Sequence, residues 1–107
     1  MAFTAQVLAD GQVASSKTTE YTVPASTVAY ISQVVVFNTG SNQETVVVYL
    51  NVSGTSRVWK RFVLEENESA ECLDEGARIE LEAADLIEMT TTNGSVVDFL
   101  IFGVEET

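Results

Sequence analysis

Carboxylates are the one chemically capable group this chain holds in abundance. It has sixteen Asp and Glu against five Lys and Arg, no His and a single Cys. Two carboxylates suffice for glycoside hydrolysis when they flank a bond at a fixed separation. Ten of the sixteen, however, crowd between Glu65 and Glu88 in turn-like sequence, where solvation accounts for them without any geometry. Without His, no serine or cysteine has an imidazole base, and a zinc site of the usual nitrogen and sulfur ligands lacks its parts. Cys72 sits in Ser-Ala-Glu-Cys-Leu-Asp-Glu. Neighbouring acids keep a thiol protonated, so a small core or edge residue is expected there. Glu66-Asn67-Glu68 and Asp74-Glu75 lack the alternating spacing of a calcium loop. The expectation is no enzyme, no cofactor and no metal.

The net charge of −11 disfavours nucleic acid, whose phosphates need clustered Lys and Arg. The one basic patch is Arg57, Trp59, Lys60 and Arg61, which joins three of the five bases to the sole tryptophan. Strict strand alternation puts Arg57, Trp59 and Arg61 on one face. Two readings stand side by side. Trp59 closes an edge of the core while the bases pair with strand acids, or it docks on an acidic partner or a second copy, since Trp and Arg are enriched at interface hot spots.

These residues need strands to position them. Val28–Phe37 is the longest apolar stretch, and strict alternation gives it two apolar faces: Ala29, Ile31, Val35 and Phe37 on one, Val28, Tyr30, Val34 and Val36 on the other. Such a strand is covered twice, by the opposing sheet and by a further partner. Thr45–Val52, Arg57–Leu64, Ser69–Leu73, Arg78–Leu81, Leu86–Thr92 and Ser95–Val104 read as further strands. Turns are expected at Asp10-Gly11, Ser53-Gly54, Asp74–Gly76 and Ala83–Asp85, with a two-residue hairpin at Asn93-Gly94. Asp98 interrupts an apolar face, so it belongs at an exposed end or beside a cation such as Arg78 or Lys60. The fold class that follows is all-β, a single-domain antiparallel β-sandwich of about eight strands, jelly-roll-like or a compact barrel. Residues 1–19 read as an N-terminal strand or arm with a flexible loop, and 20–107 as the sandwich. The N-terminus has no signal-peptide pattern, and no apolar run approaches the ~20 residues that span a bilayer.

Five segments occur in an informative order. They are Tyr21–Thr27, Val34–Thr39, Thr45–Leu50, Leu81–Ile87 and Phe102–Glu105. The ordered set resembles a family of small tailed-bacteriophage virion proteins, across Glu20 to Glu105. Gly usually stands in that family where this chain has Ala84, which puts the geometry of that corner in question. The resemblance implies a structural module made in the host cytoplasm and carried in the virion. The preferred role is a capsid decoration (cement) protein on the head exterior, bridging subunits of the major capsid protein as a homo-oligomer, a trimer by preference. A tail, neck or fibre module is the alternative, with no membrane and no nucleic acid as partner. In this reading Phe3, Gln6 and Leu8 of the arm add a strand to a capsid edge, and Arg57, Trp59 and Arg61 form the second contact. A reading from another class is a small carbohydrate-binding sandwich, with Trp59, Tyr49 or Tyr30 as the stacking platform.

Overall fold

The computed structural model describes residues 3–107, with side chains from Gln6 onward. Nine strands form and no helix does among the described residues: β1 (Phe3–Gln12), β2 (Thr18–Thr22), β3 (Val28–Asn38), β4 (Glu44–Val52), β5 (Thr55–Leu64), β6 (Ser69–Glu71), β7 (Ile79–Leu81), β8 (Leu86–Thr91) and β9 (Val97–Glu106). One sheet has the order β1-β9-β3-β6, with β7 also paired to β3; the other has the order β2-β8-β4-β5. Every pairing is antiparallel.

The path is a long ribbon folded at its middle. Ser53 and Gly54, both at positive φ (55° and 85°), turn β4 into β5. Two positive-φ residues are what a type I′ hairpin requires. Each strand before that turn then pairs with its counterpart after it: β4 with β5, β3 with β6 and β7, β2 with β8, β1 with β9. Successive pairs alternate between the sheets. β6 and β7 face β3 at Val35–Phe37 and at Ala29–Ile31, and so act as one interrupted strand. Counted that way, eight strands stand four to a sheet, which is the jelly roll. Gln33 bridges the interruption. Its amide accepts from Leu73 N–H (2.9 Å) and donates to Leu73 C=O (2.8 Å), as a strand residue would.

The core lies between the sheets. Ile31, Val34 and Val36 of β3, Val46 and Val48 of β4, Ile87 and Met89 of β8, and Val97 and Ile101 of β9 are fully enclosed. Burying each such side chain stabilises the fold by about 1.5–3 kcal/mol before chain entropy is counted. Residues 3–12, within the segment expected as a strand or arm, run along β9 from Phe3 opposite Glu106 to Gln12 opposite Asp98. Val13 beyond them is wholly buried.

Four bulges change which way side chains point. They lie at Leu8, Glu20, Ser32 and Trp59, each an extra residue in the register of its strand. An extra residue reverses the alternation beyond it. The core face of β3 is therefore Ala29, Ile31, Val34 and Val36, while Val28, Tyr30, Val35 and Phe37 face outward. This corrects the strict alternation read from sequence, and the polar pair Ser32-Gln33 inside the apolar run marks the spot.

One expected turn is absent and one expected hairpin does not form. Asp10-Gly11 lies inside β1, with Gly11 opposite Phe99. Asn93-Gly94 is no hairpin, because β8 and β9 belong to different sheets and the positive φ falls at Ser95 (67°). Asn93 is instead pulled toward β4, where its N–H and Nδ2 both donate to the Glu44 carboxylate at 2.8 Å.

The Ala83–Asp85 turn does form, and Ala84 adopts the left-handed conformation (φ 73°) that Gly takes without strain. Its N–H donates to Val23 C=O (3.0 Å), and Val23 N–H donates back to Asp85 C=O (3.0 Å), so the corner geometry is held from outside. Ala84→Gly is expected to stabilise the protein by about 0.5–1 kcal/mol, read as a higher urea midpoint at unchanged slope. A lower midpoint would contradict the strain argument.

Candidate interaction surface

The carboxylates resolve into clamps. Glu44, 1 % exposed, also accepts from the Thr91 hydroxyl (2.9 Å), so its buried charge is met by three neutral donors from one neighbouring corner. Burial pushes its pKa up, but the hydrogen bonds from Asn93 and Thr91 outweigh this and leave it below the ordinary carboxylate range. Asp85, also buried, accepts from Glu82 N–H (2.9 Å) and from Ser53 N–H in the β4–β5 turn (3.2 Å). Glu105 accepts a 2.6 Å bond from the Tyr21 hydroxyl and ties the two sheets together. Among the described residues, no group of three or more His, Cys, Asp and Glu could hold a metal ion. Burial drives the Cys72 thiol up to about 12, with Lys60 only partly opposing, so it stays protonated near neutral pH.

Glu20 behaves in the opposite sense to Glu44. It is the extra residue of the β2 bulge, its Oε2 is buried without a partner, and burial raises its pKa. A raised carboxyl withholds stability at neutral pH and returns it as pH falls through the folded pKa; a lowered one, as at Glu44, loses its contribution on acidification. Glu20→Gln is expected to raise the thermal midpoint by about 2 °C at neutral pH. The gain should vanish below the ordinary carboxylate range, and a gain that persists there would contradict the assignment to burial.

The basic strand does not present the face expected of it. β5 is the edge of its sheet, and Trp59 is the residue without a ladder partner. Residues opposite each other across a ladder share a face. Arg57, opposite Leu50, lies on the core side, whereas Arg61, opposite Val47, lies on the outer side. The bulge thus separates the two arginines, correcting their placement on one face. Trp59 is half-buried against the core and, with Leu50, Val52, Thr55, Arg57 and Val58, lines an open groove of about 420 Å³. Among the described residues, Arg57, Lys60 and Arg61 make no ion pair within 4 Å.

The N-terminal candidates disperse as well. The Phe3 side chain lies outside the described ones. Gln6 is exposed, and Leu8, turned in by its bulge, packs partly buried against the core. β1 borders one sheet and β5 the other, at opposite edges of the sandwich. The expected sugar platform is likewise split: Tyr30 points off the five-stranded sheet beneath Arg78 (5.6 Å), and Tyr49 off the other beneath Lys17 (4.8 Å).

What strict alternation obscured is the outer face of the five-stranded sheet. Val7 (49 % exposed), Leu100 (38 %) and Phe37 (37 %) stand there, with half-buried Val35 and Phe102 between them. By register the same face carries Asp10, Glu71, Glu80, Asp98 and Glu106. Asp98 is exposed and takes a 3.3 Å bond from Gln12 rather than a cation. The signal in the sequence was the doubly apolar strand β3, whose second face needed a cover.

No protein-family model matches the chain, and no curated protein does. Among solved structures, a chain of Bacillus endospore appendages, described as disulfide-linked pili, is 16% identical with a TM-score of 0.55, covering 98% of this chain and 88% of its own. A chain of infectious bursal disease virus strain Gx is 9% identical with a TM-score of 0.38, covering 97% of this chain and 32% of that one. The likeness to the spore-appendage chain is one of fold.

Proposed function

We propose that the chain is a non-enzymatic structural subunit of a phage particle, a capsid decoration protein that binds the head exterior and bridges neighbouring capsid subunits. The observation that carries this is the outer face of the five-stranded sheet. The fold is complete without a cover there, yet the face keeps an apolar centre ringed by carboxylates. Exposed apolar patches of this kind mark docking surfaces. The residues that carry the resemblance to phage virion proteins serve the fold. Tyr21 with Glu105, and Val23 with Ala84 and Asp85, meet at one end of the sandwich, while Asn38 closes the other. They support kinship of architecture, and the faces between them do the binding.

The pili formed by the spore-appendage protein support the idea that this architecture serves as a building block. The disulfide linkage does not carry over, because the sole cysteine here is buried and held as the thiol. Mass spectrometry and antibody labelling of virions purified from the genome that encodes this chain test the reading. Many copies on the head are expected. Label confined to the neck, tail or fibres would favour the alternative location, and absence from purified particles would overturn the structural role.

A further inference from the structure

We infer that the acidic outer face of the five-stranded sheet is covered by the basic outer face and β5 edge of a second copy of this chain, in a head-to-tail contact. The inference rests on the reading that the chain works by docking through its faces. Charge is sorted across the molecule. Four of the five bases gather at the four-stranded sheet. Arg61 of β5 points outward opposite Val47, while Arg57 and Lys60 stand along the core-side rim of that edge strand, opposite Leu50 and Val48. Lys17, just before β2, reaches across the outer face to the Ser56 hydroxyl (3.1 Å) and the Tyr49 ring. The acid that shares that face, Glu88, is buried and spends an oxygen on the Ser56 hydroxyl (2.6 Å). The opposite outer face carries five carboxylates against Arg78.

Apolar exposure follows the same division. Six large hydrophobic side chains are exposed among the described residues. Val7, Phe37 and Leu100 stand on the acidic face, Val58 and Val63 (54 % each) on the basic strand, and Val52 at the β4–β5 tip. One side thus offers an apolar centre among mostly acidic groups, and the other an apolar centre with Arg61 and Lys17 on the face and Arg57 and Lys60 along the β5 edge, so the prevailing signs are opposite. A two-fold contact of the acidic face with itself would press its carboxylates together, which like-charge repulsion disfavours. Because the complementary faces lie on opposite sides of a two-layer sandwich, joining them is heterologous. Repetition then grows a column, or closes a ring only where successive copies tilt.

Two capped variants test this. Leu100→Lys blocks the acidic face and Arg61→Glu with Val58→Glu blocks the basic one, each checked for an unchanged fold by circular dichroism and thermal midpoint. In sedimentation velocity the wild-type chain is expected to associate, each variant alone to run as a monomer, and an equimolar mixture to run as a dimer through the one intact pair of faces. A mixture that stays monomeric, a wild-type chain that never associates, or either variant dimerising alone would overturn the head-to-tail contact. Particle binding separates this from the proposed function: if the mixture stays monomeric but Leu100→Lys still abolishes virion binding, the docking face stands and its occupant is a virion protein. If Leu100→Lys changes neither, both readings fail.

Discussion

Gly103→Ala is expected to destabilise the protein by about 3 kcal/mol, near the upper end of what overpacking costs. A Cβ built at this position falls inside the Tyr30 carbonyl oxygen, and stands 3.0 Å from Leu8 Cδ1 and 3.2 Å from Ile31 Cα. Two of those obstacles belong to the backbone of β3 and cannot swing aside as a side-chain tip would. β9 lies between β1 and β3; β3 bulges at the level of Gly103 and Phe102, and β1 one step on, at Phe102 and Ile101. The sheet therefore bends around a residue that must have no side chain. Gly54→Ala supplies the comparison. Gly54 has φ 85° and open space around its missing Cβ, so alanine meets only the left-handed penalty there, about 1 kcal/mol. Urea unfolding of both variants decides the matter. Equal losses would show that conformation, and not close approach, sets the requirement at Gly103.

Asn38→Asp is expected to cost about 3–4 kcal/mol, although the two side chains are nearly the same size. Asn38 is fully buried at the end of β3. Its Nδ2 donates to the carbonyls of Asn42 (2.8 Å), Leu64 (3.1 Å) and Glu65 (3.2 Å), and its Oδ1 accepts from Gly40 N–H (2.9 Å). These partners fix which end of the amide is which, and they join the β3–β4 loop to the end of β5. Aspartate would aim a second acceptor at those carbonyls and bury a charge with no cation beside it. Against a total stability of about 5–15 kcal/mol for a domain, this is a large share. A loss under 1 kcal/mol in thermal or urea unfolding would mean that the amide is not the clamp described.

Much of the fold was legible because burial writes itself into strands at a period of two. The strands, the Ser53-Gly54 turn and the two-sheet class all follow from alternation and turn residues. The jelly-roll path was less accessible, since β1 with β9 and β2 with β8 pair across nearly the whole chain and no local spacing records them. Bulges did the most damage. One extra residue at Trp59 sends Arg57 and Arg61 to different sides, and one at Ser32 exchanges Val34 and Val35 between core and surface. The Asn93-Gly94 pair carried the residues of a tight hairpin, but a buried carboxylate forty-nine positions away claimed Asn93. The acidic outer face was half legible: β3 announced that it had two apolar sides, and only the register showed which side remained uncovered.

Cryo-electron microscopy of the particle, at a resolution that traces strands, bears most directly on the claim that this chain is a particle subunit docked through its faces. The account predicts jelly-roll density on the outer surface of the head, with Leu100, Phe37 and Val7 covered by a neighbouring protein or copy. Density that leaves this face open to solvent, or a head that lacks the chain altogether, would contradict it.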